Sequence, residues 1–235
     1  MTFQKFSIII PAHNEEKYIG RTIKSILSLD YPKQLFEAVI VENGSTDKTY
    51  EIAKQFARKN IRVFANKWRG VSKARNFGAE KASKQTKWLI FLDADTSLGR
   101  NFLKELNTFL NEKSSKYLIG TTEINPDKPT AYHKTWFKAH NMIHKIFKLS
   151  LAIQIVNKKF FNRVKYDEKL PYSEDIKLIR EMSKHGLFFY VPTKNVITST
   201  RRFDKEGHLR LLIKWGIINN LPYKLRTKRD YEVIR

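Results

Sequence analysis

The stretch Trp88-Leu89-Ile90-Phe91-Leu92-Asp93-Ala94-Asp95 decides the reading of this chain. Five consecutive apolar residues predict a buried strand, and they stop at two carboxylates. With a side-chain period of two, Asp93 and Asp95 are expected to point the same way from the strand's C-terminal end. Two like charges held together are costly unless a cation or hydrogen bonds compensate them. A hard divalent metal shared with a diphosphate would do so, whereas a solvated loop after a strand is the plain alternative.

Outward from this stretch, the N-terminal side alternates strand and helix. Phe6 to Ile10 is a short apolar strand ended by Pro11, and Asn14 is expected to cap a helix whose buried face is Tyr18, Ile19, Thr22, Ile23, Ile26 and Leu27. Phe36 to Val41 reads as a second strand, followed by the turn Glu42-Asn43-Gly44-Ser45-Thr46-Asp47 and a helix to about Arg58. Ile61 to Ala65 is a third strand, Val71 to Ser83 a third helix, and Lys87 to Leu92 the fourth strand. Such alternation with short connections predicts an α/β fold: an open, mostly parallel sheet with helices on both faces. Ligands of such sheets sit beyond the carboxyl ends of the strands, where Pro11 to Asn14, Glu42 to Ser45 and Asp93 to Asp95 all fall. Neither G-x-G-x-x-G after the first strand nor G-x-x-x-x-G-K-[ST] occurs, which speaks against dinucleotide and P-loop sites.

The composition narrows the partners. The length of 235 residues suits one domain with an elaborated end, and 41% hydrophobic residues support a core. Cysteine is absent, which excludes disulfides and thiolate metal sites and agrees with a reducing compartment. No run of about eighteen apolar residues is present, so no segment is expected to span a bilayer. Lys+Arg number 45 against 23 Asp+Glu, a net charge of +22 that points to an anionic partner: nucleic acid, membrane surface or phosphorylated substrate.

The second half differs in character. A helix from about Phe102 to Asn111 and a strand from Tyr117 to Thr122 precede a break at Asn125-Pro126. From Lys128 to Tyr166 no acid occurs beside nine Lys or Arg, and within it Tyr132, Trp136, Ala139, Ile143, Ile146 and Phe147 are expected to form the apolar face of a basic helix. That face either packs on the core or meets a membrane. Leu149 to Val156 reads as a strand weakened by Ser150 and Gln154. Ser173 is a candidate N-cap, with Glu174 and Asp175 in the first helical turn, where acids favour the helix dipole even without a catalytic role. Leu209, Leu212, Ile213, Gly216, Ile217 and Asn220 share a largely apolar face before a basic tail, Lys224 to Arg229.

Taken in order, Ser7 to Glu16, Val41 to Asp47, Gly70 with Ala74-Arg75-Asn76 and Gly78, Phe91 to Asp95, and Ser173-Glu174-Asp175 resemble the inverting family-2 glycosyltransferases of GT-A fold. The resemblance runs from residue 6 to about 203. It implies a GT-A domain over 1–203, with a nucleotide-binding half (1–98) and an acceptor-binding half (99–203), then a basic C-terminal helix and tail over 204–235. It implies a nucleotide-diphosphate-sugar donor, with UDP or GDP expected, and a metal-dependent hexosyltransferase. Pro11, Ala12, Asn14, Glu15, Glu42 and Asn43 would surround base and ribose, Asp93 would touch the ribose or sugar side, and Arg75 and Ala94 would be further donor-binding residues. Asp95, with Asp93, would ligate Mn²⁺ or Mg²⁺ bridging the phosphates, and Asp175, or else Glu174, would deprotonate the acceptor.

The chemistry asks for the same parts: a leaving diphosphate needs its charge neutralised, and an acceptor hydroxyl needs a base within reach. Arg201 and Arg202 suit a clamp on the diphosphate, or are simply exposed after a strand. His208 reads as a third metal ligand or as a packing residue. Many members carry Asp where this chain has Glu42 and Asn43, leaving the donor base open. The processive signature Q-x-x-R-W is met only by Leu212-Ile213-Lys214-Trp215, against a polymerising synthase. The expected acceptor is a glycan or lipid-linked hydroxyl in the cytoplasm, at the cytoplasmic face of an anionic membrane. A nucleic-acid-binding protein is the alternative from charge alone, but it lacks any recognition signature. A sugar-phosphate nucleotidyltransferase would show a Gly- and Arg-rich loop where Pro11-Ala12-His13-Asn14 stands.

Overall fold

The computed structural model describes residues 2–113 and 116–227. Residues 228–235 of the expected basic tail lie outside them. The strands are β1 Phe6–Ala12, β2 Phe36–Asn43, β3 Ile61–Asn66, β4 Trp88–Leu92, β5 Thr96–Leu98, β6 Tyr117–Thr122, β7 Asn125–Pro126, β8 Ile153–Asn157, β9 Leu187–Val191 and β10 Val196–Thr198. The helices are α1 Ile19–Leu27, α2 Thr49–Lys54, α3 Val71–Lys81, α4 Phe102–Glu112, α5 Ala131–Phe147, α6 Lys158–Val164, α7 Glu174–Met182, α8 Arg201–Glu206, α9 His208–Asn220 and α10 Tyr223–Arg226.

Seven strands form the main sheet in the order β3-β2-β1-β4-β8-β6-β9, and β5-β10-β7 form a small second sheet. All main-sheet pairs are parallel except those of β8, which runs against β4 and β6. The side-chain alternation of the strands divides the core in two. Phe6, Ile8 and Ile10 of β1 pack with Ile19 and Ile23 of α1 and Phe102 and Leu106 of α4. Ile9, with Val39, Val41, Leu89 and Phe91, packs on the other face with Ala74 of α3 and Leu178 of α7. Helices therefore cover both faces, as the alternation predicts.

The chain runs outward from β1 to β2 and β3, then returns to β4 on β1's other side, so the strand order reverses between β1 and β4. A crevice opens at the carboxyl ends of strands flanking such a point. The close packing of α3 on the sheet sets one wall. A Cβ on Gly78 would stand 2.3 Å from Ile9 Cγ2, so only glycine permits this approach. The approach holds Arg75, one turn earlier on α3, beside the end of β4.

Several local expectations are corrected. Helix α1 starts at Ile19, not behind Asn14; Asn14 takes φ 57° and joins two loops, its Oδ1 accepting from Thr46 N at 2.8 Å. The second helix ends at Lys54 rather than near Arg58. Strand β8 begins only at Ile153: Ser150 precedes it and bonds Asp175 of α7, while Gln154 is part of the strand and turns its amide toward the same helix. Ser173 does not cap α7; it takes φ 60° and donates to Asn219 Oδ1.

The largest correction concerns α5. Its buried face is His133, Phe137, His140 and His144, while Tyr132, Ile146 and Phe147 of the expected apolar face are exposed. Two of these histidines go inward to meet partners beyond α5, His133 on Asp204 and His208, and His140 on His208, which a pattern of apolar residues cannot anticipate.

Candidate active site

Strand β4 ends at Leu92, so Asp93 and Asp95 lie in a turn and not on a strand. Thr96 N closes this turn on Asp93 O at 3.0 Å, and Thr22 Oγ1 of α1 fixes it by donating to Ala94 O at 2.7 Å. Both acids still line one crevice, each with its own guanidinium. Arg75 reaches Asp93 at 3.2 Å, and Arg201, at the start of α8, reaches Asp95 at 3.0 Å. Arg201 also pairs with Glu15 and stands 4.6 Å from the Tyr18 ring centroid. Arg202 lines the same space.

The charges here are not balanced. Burial pushes Glu15 up to about 7 against the pull of Arg201, and the charges of Asp95 and Asp93 add to it. Burial likewise pushes Asp95 up to about 6, with Arg201 opposing and Asp93 adding. Glu15 Oε2 is buried without a partner. This donor set fits a hard cation: carboxylate oxygens in excess, one of them unsatisfied, in a space large enough for a diphosphate to supply further ligands. Asp95 and Asp93 are the residues able to hold it, yet no three acids or histidines among the described residues form a complete metal cage by themselves.

A second pair of acids faces the same cavity from α7. Glu174 Oε1 accepts from Arg75 Nη1 at 2.7 Å, so one guanidinium bridges Asp93 and Glu174. Asp175 Oδ2 accepts from Ser150 Oγ at 3.0 Å. Ser150 accepts from Gln154 Nε2 at 3.1 Å, and Tyr166 OH donates to Gln154 Oε1. A chain of hydrogen bonds thus orients Asp175 from behind. Burial raises both carboxyls above their ordinary range, while the nearby Arg75 opposes the shift. Neither acid serves only the dipole of α7.

The loops after β1 and β2 close the opposite end. Pro11, His13 and Glu15 line the cavity, as do Asn43, Arg69 and Gly70. Asn43 Oδ1 is buried without a partner. Ala12, Asn14 and Glu42 lie behind this lining, and Glu42 Oε1 accepts from Ser45 N of its own turn. Enclosed is a cavity of about 900 Å³, at the upper end of the range for small-molecule sites.

Helix α9 forms a wall that the motifs did not reveal, with Leu212, Trp215, Gly216 and Asn219 facing in. Its first residue, His208, is fully buried and is not among the acids of the crevice. It joins a seam between α5 and α8–α9: His133 Nδ1 lies 3.0 Å from His208 Nε2, and His208 Nδ1 lies 3.2 Å from His140 Nε2. Asp204 holds His133 Nε2 at 3.0 Å. The ring of His208 stacks between Trp136 and Phe203, with centroids 5.3 Å and 4.3 Å away. It is packed and hydrogen-bonded in this seam and does not line the crevice. Ser150, Gln154 and Tyr166 were also missed; the only sign of the first two was polarity inside an apparent strand.

The family model for glycosyl transferase family 2 matches residues 7–183, and the chain belongs to this family. Among curated relatives, the poly(ribitol-phosphate) beta-N-acetylglucosaminyltransferase TarS of Staphylococcus aureus is 34% identical over 118 residues, covering 49% of this chain and 20% of TarS. The minor teichoic acid biosynthesis protein GgaB of Bacillus subtilis is 25% identical over 237 residues, covering 96% of this chain and 23% of GgaB. The chain therefore spans about a fifth to a quarter of the length of these two relatives. The crystal structure of residues 1–349 of Staphylococcus aureus TarS with UDP-GlcNAc matches with a TM-score of 0.67 and 24% identity, over 95% of this chain and 69% of that one. At that identity the likeness is one of fold, the GT-A glycosyltransferase fold.

Proposed function

We propose that the chain transfers a sugar from a nucleotide-diphosphate donor to an acceptor hydroxyl in a single displacement, with inversion at the anomeric carbon. The observation that supports this reading best is Asp175: half-buried, aimed by Ser150, and lining the same cavity as Asp93 and Asp95. In this displacement the acceptor proton passes to Asp175 and the acceptor oxygen bonds to the anomeric carbon. The bond from that carbon to the phosphate oxygen breaks, and its electron pair leaves with the nucleoside diphosphate. Glu174 is the alternate base, but its tie to Arg75 leaves Asp175 the better placed of the two.

Arg75, Arg201 and Arg202 take the charge that develops on the diphosphate in this reading. A Mn²⁺ or Mg²⁺ ion held by Asp95, with Asp93 beside it, would add Lewis-acid neutralisation of that charge. Pro11, Glu15 and Asn43, backed by Ala12, Asn14 and Glu42, receive the base and ribose. UDP is the first base to test, since TarS has been crystallised with UDP and with UDP-GlcNAc, and GDP is the second. The acceptor we propose is a cell-envelope glycan, lipid-linked or close to the cytoplasmic face of the membrane. Relatives named for poly(ribitol-phosphate) and teichoic acid support this, and a charge of +22 suits an acceptor bearing phosphate.

The test is Asp175→Asn. A panel of UDP-, GDP- and dTDP-sugars with Mn²⁺ should raise the melting temperature of wild type and variant alike for at least one donor. Transfer by the variant should fall roughly 10²- to 10⁴-fold. Normal turnover by the variant would sink the base assignment, and no response to any donor would sink the whole reading.

A further inference from the structure

We infer that the outward face of α9 is a docking surface for an anionic membrane. The inner face of this helix buries His208, Leu211 and Ile218. Its outer face exposes Leu209, Ile213 and Ile217 by 60%, 56% and 58%, at a spacing of four that sets them in one row. A helix apolar on two opposite faces leaves one of them without a protein partner. Helix α5, which packs on α9 through His208, repeats the feature: Met142, Ile146 and Phe147 are exposed by 61%, 63% and 68%.

The charges carried by the two helices themselves have one sign, and the acids just before α9, Asp204 and Glu206, are paired with Lys128 and Lys214. No acid occurs from residue 128 to 166 or from 207 to 227. Lys134, Lys138, Lys145 and Lys148 around α5, and Arg210 on α9, are exposed. Exposed aliphatic side chains among cations, without acids, are what a helix lying in the plane of an anionic lipid surface requires. A soluble polyanion would use the cations but leave the aliphatics in water. A second copy of the chain would bring +22 against +22. At 13 residues, about 20 Å long, α9 is able to lie on a bilayer and too short to cross one.

The inward-facing edge of α9 carries Leu212, Trp215 and Asn219, which wall the candidate active site. Docking through the outer row therefore brings that wall of the cavity to the lipid surface, where a lipid-linked acceptor resides. This purpose rests on the proposed function; the docking itself does not.

The experiment uses the full chain and sedimentation with phosphatidylcholine vesicles, with and without phosphatidylglycerol. Wild type should partition roughly ten-fold or more in favour of the anionic vesicles. The triple variant Leu209→Ser, Ile213→Ser, Ile217→Ser should lose roughly ten-fold or more of that binding while keeping the donor-induced rise in melting temperature. Absence of wild-type binding to anionic vesicles overturns the inference, as does equal binding by the triple variant. Retention by soluble polyphosphate without vesicle binding assigns the charge to a polyanion and overturns it too. So does a wild-type dimer in light scattering that the triple variant converts to monomer. Vesicle binding without any donor response would leave the surface standing and remove the glycosyltransferase reading.

Discussion

The acid crevice beyond β1 and β4 and the histidine seam between α5 and α8–α9 both bury polar side chains, yet they meet that cost in opposite ways. In the seam, His133, His208 and His140 bond in series, ending on Asp204, and aromatic rings close around them. Burial pushes His140 and His208 down to about 4, so both are neutral at pH 7. In the crevice, Glu15 and Asp95 share Arg201, Asp93 shares Arg75 with Glu174, and burial pushes Glu15 and Asp95 up. In the seam a neutral ring nitrogen, His140 Nδ1, is left without a partner. In the crevice a carboxylate oxygen, Glu15 Oε2, is left so, and an uncompensated carboxylate is where a cation and a charged ligand bind with advantage.

Removing a member of each cluster should therefore act in opposite directions. The largest effect is expected for His208→Ala, which leaves His133 Nδ1 and His140 Nε2 without partners and opens a hole beside Trp136 and Phe203. Urea denaturation at pH 7 should show a loss of about 3 kcal/mol or more. The pH dependence has a definite sign. His140 and His208 are depressed from 6.5 to about 4 in the folded state, so their contribution is complete above 6.5 and is lost as pH falls through 4. The gap between wild type and variant should narrow over that window; an unchanged gap would mean that the seam does not hold these rings neutral.

A smaller effect of opposite sign is expected for Asp95→Asn. Asp95 is raised from 3.8 to about 6, so its favourable contribution is present below 3.8 and lost as pH rises through 6. At pH 8 the variant, free of donor, should be more stable than wild type by roughly 1 to 2 kcal/mol, an advantage that disappears by pH 4. The metal-dependent response to donor should vanish with it. A variant less stable than wild type at pH 8 would show that the pairing with Arg201 outweighs the burial of charge, and the contrast between the two clusters would fail.

The smallest effect is expected for Ser150→Ala. The Ser150 hydroxyl favours the ionised form of Asp175, and its loss lets that carboxyl rise further. Transfer should fall by up to about ten-fold, and the acid limb of kcat/KM against pH should move upward. A limb that stays in place would show that Ser150 supports the fold alone.

Much of the sheet was legible in order. The buried runs of β1, β2 and β4 and the polar clusters at their ends each follow from patterns within ten residues or so. Glu174 and Asp175 were also legible, but only as a dipole-compatible pair or as part of a family pattern. Helix α5 was misread, because a histidine counts as solvent-facing until its partner is known, and His208 lies 68 residues beyond His140. Ser150 and Gln154 were read as flaws in a strand, because Asp175, their reason for being there, lies on another element.

The alternation of strands and helices, the acids beyond β4 and a surface of one dominant sign depend on neighbours along the chain or on composition, and can be read from residue order. Which guanidinium meets which carboxylate, that α9 walls the cavity, and that the histidines of α5 face inward emerge from the packed fold alone. Those outcomes depend on burial and on partners distant in sequence, and neither exists until the elements have packed.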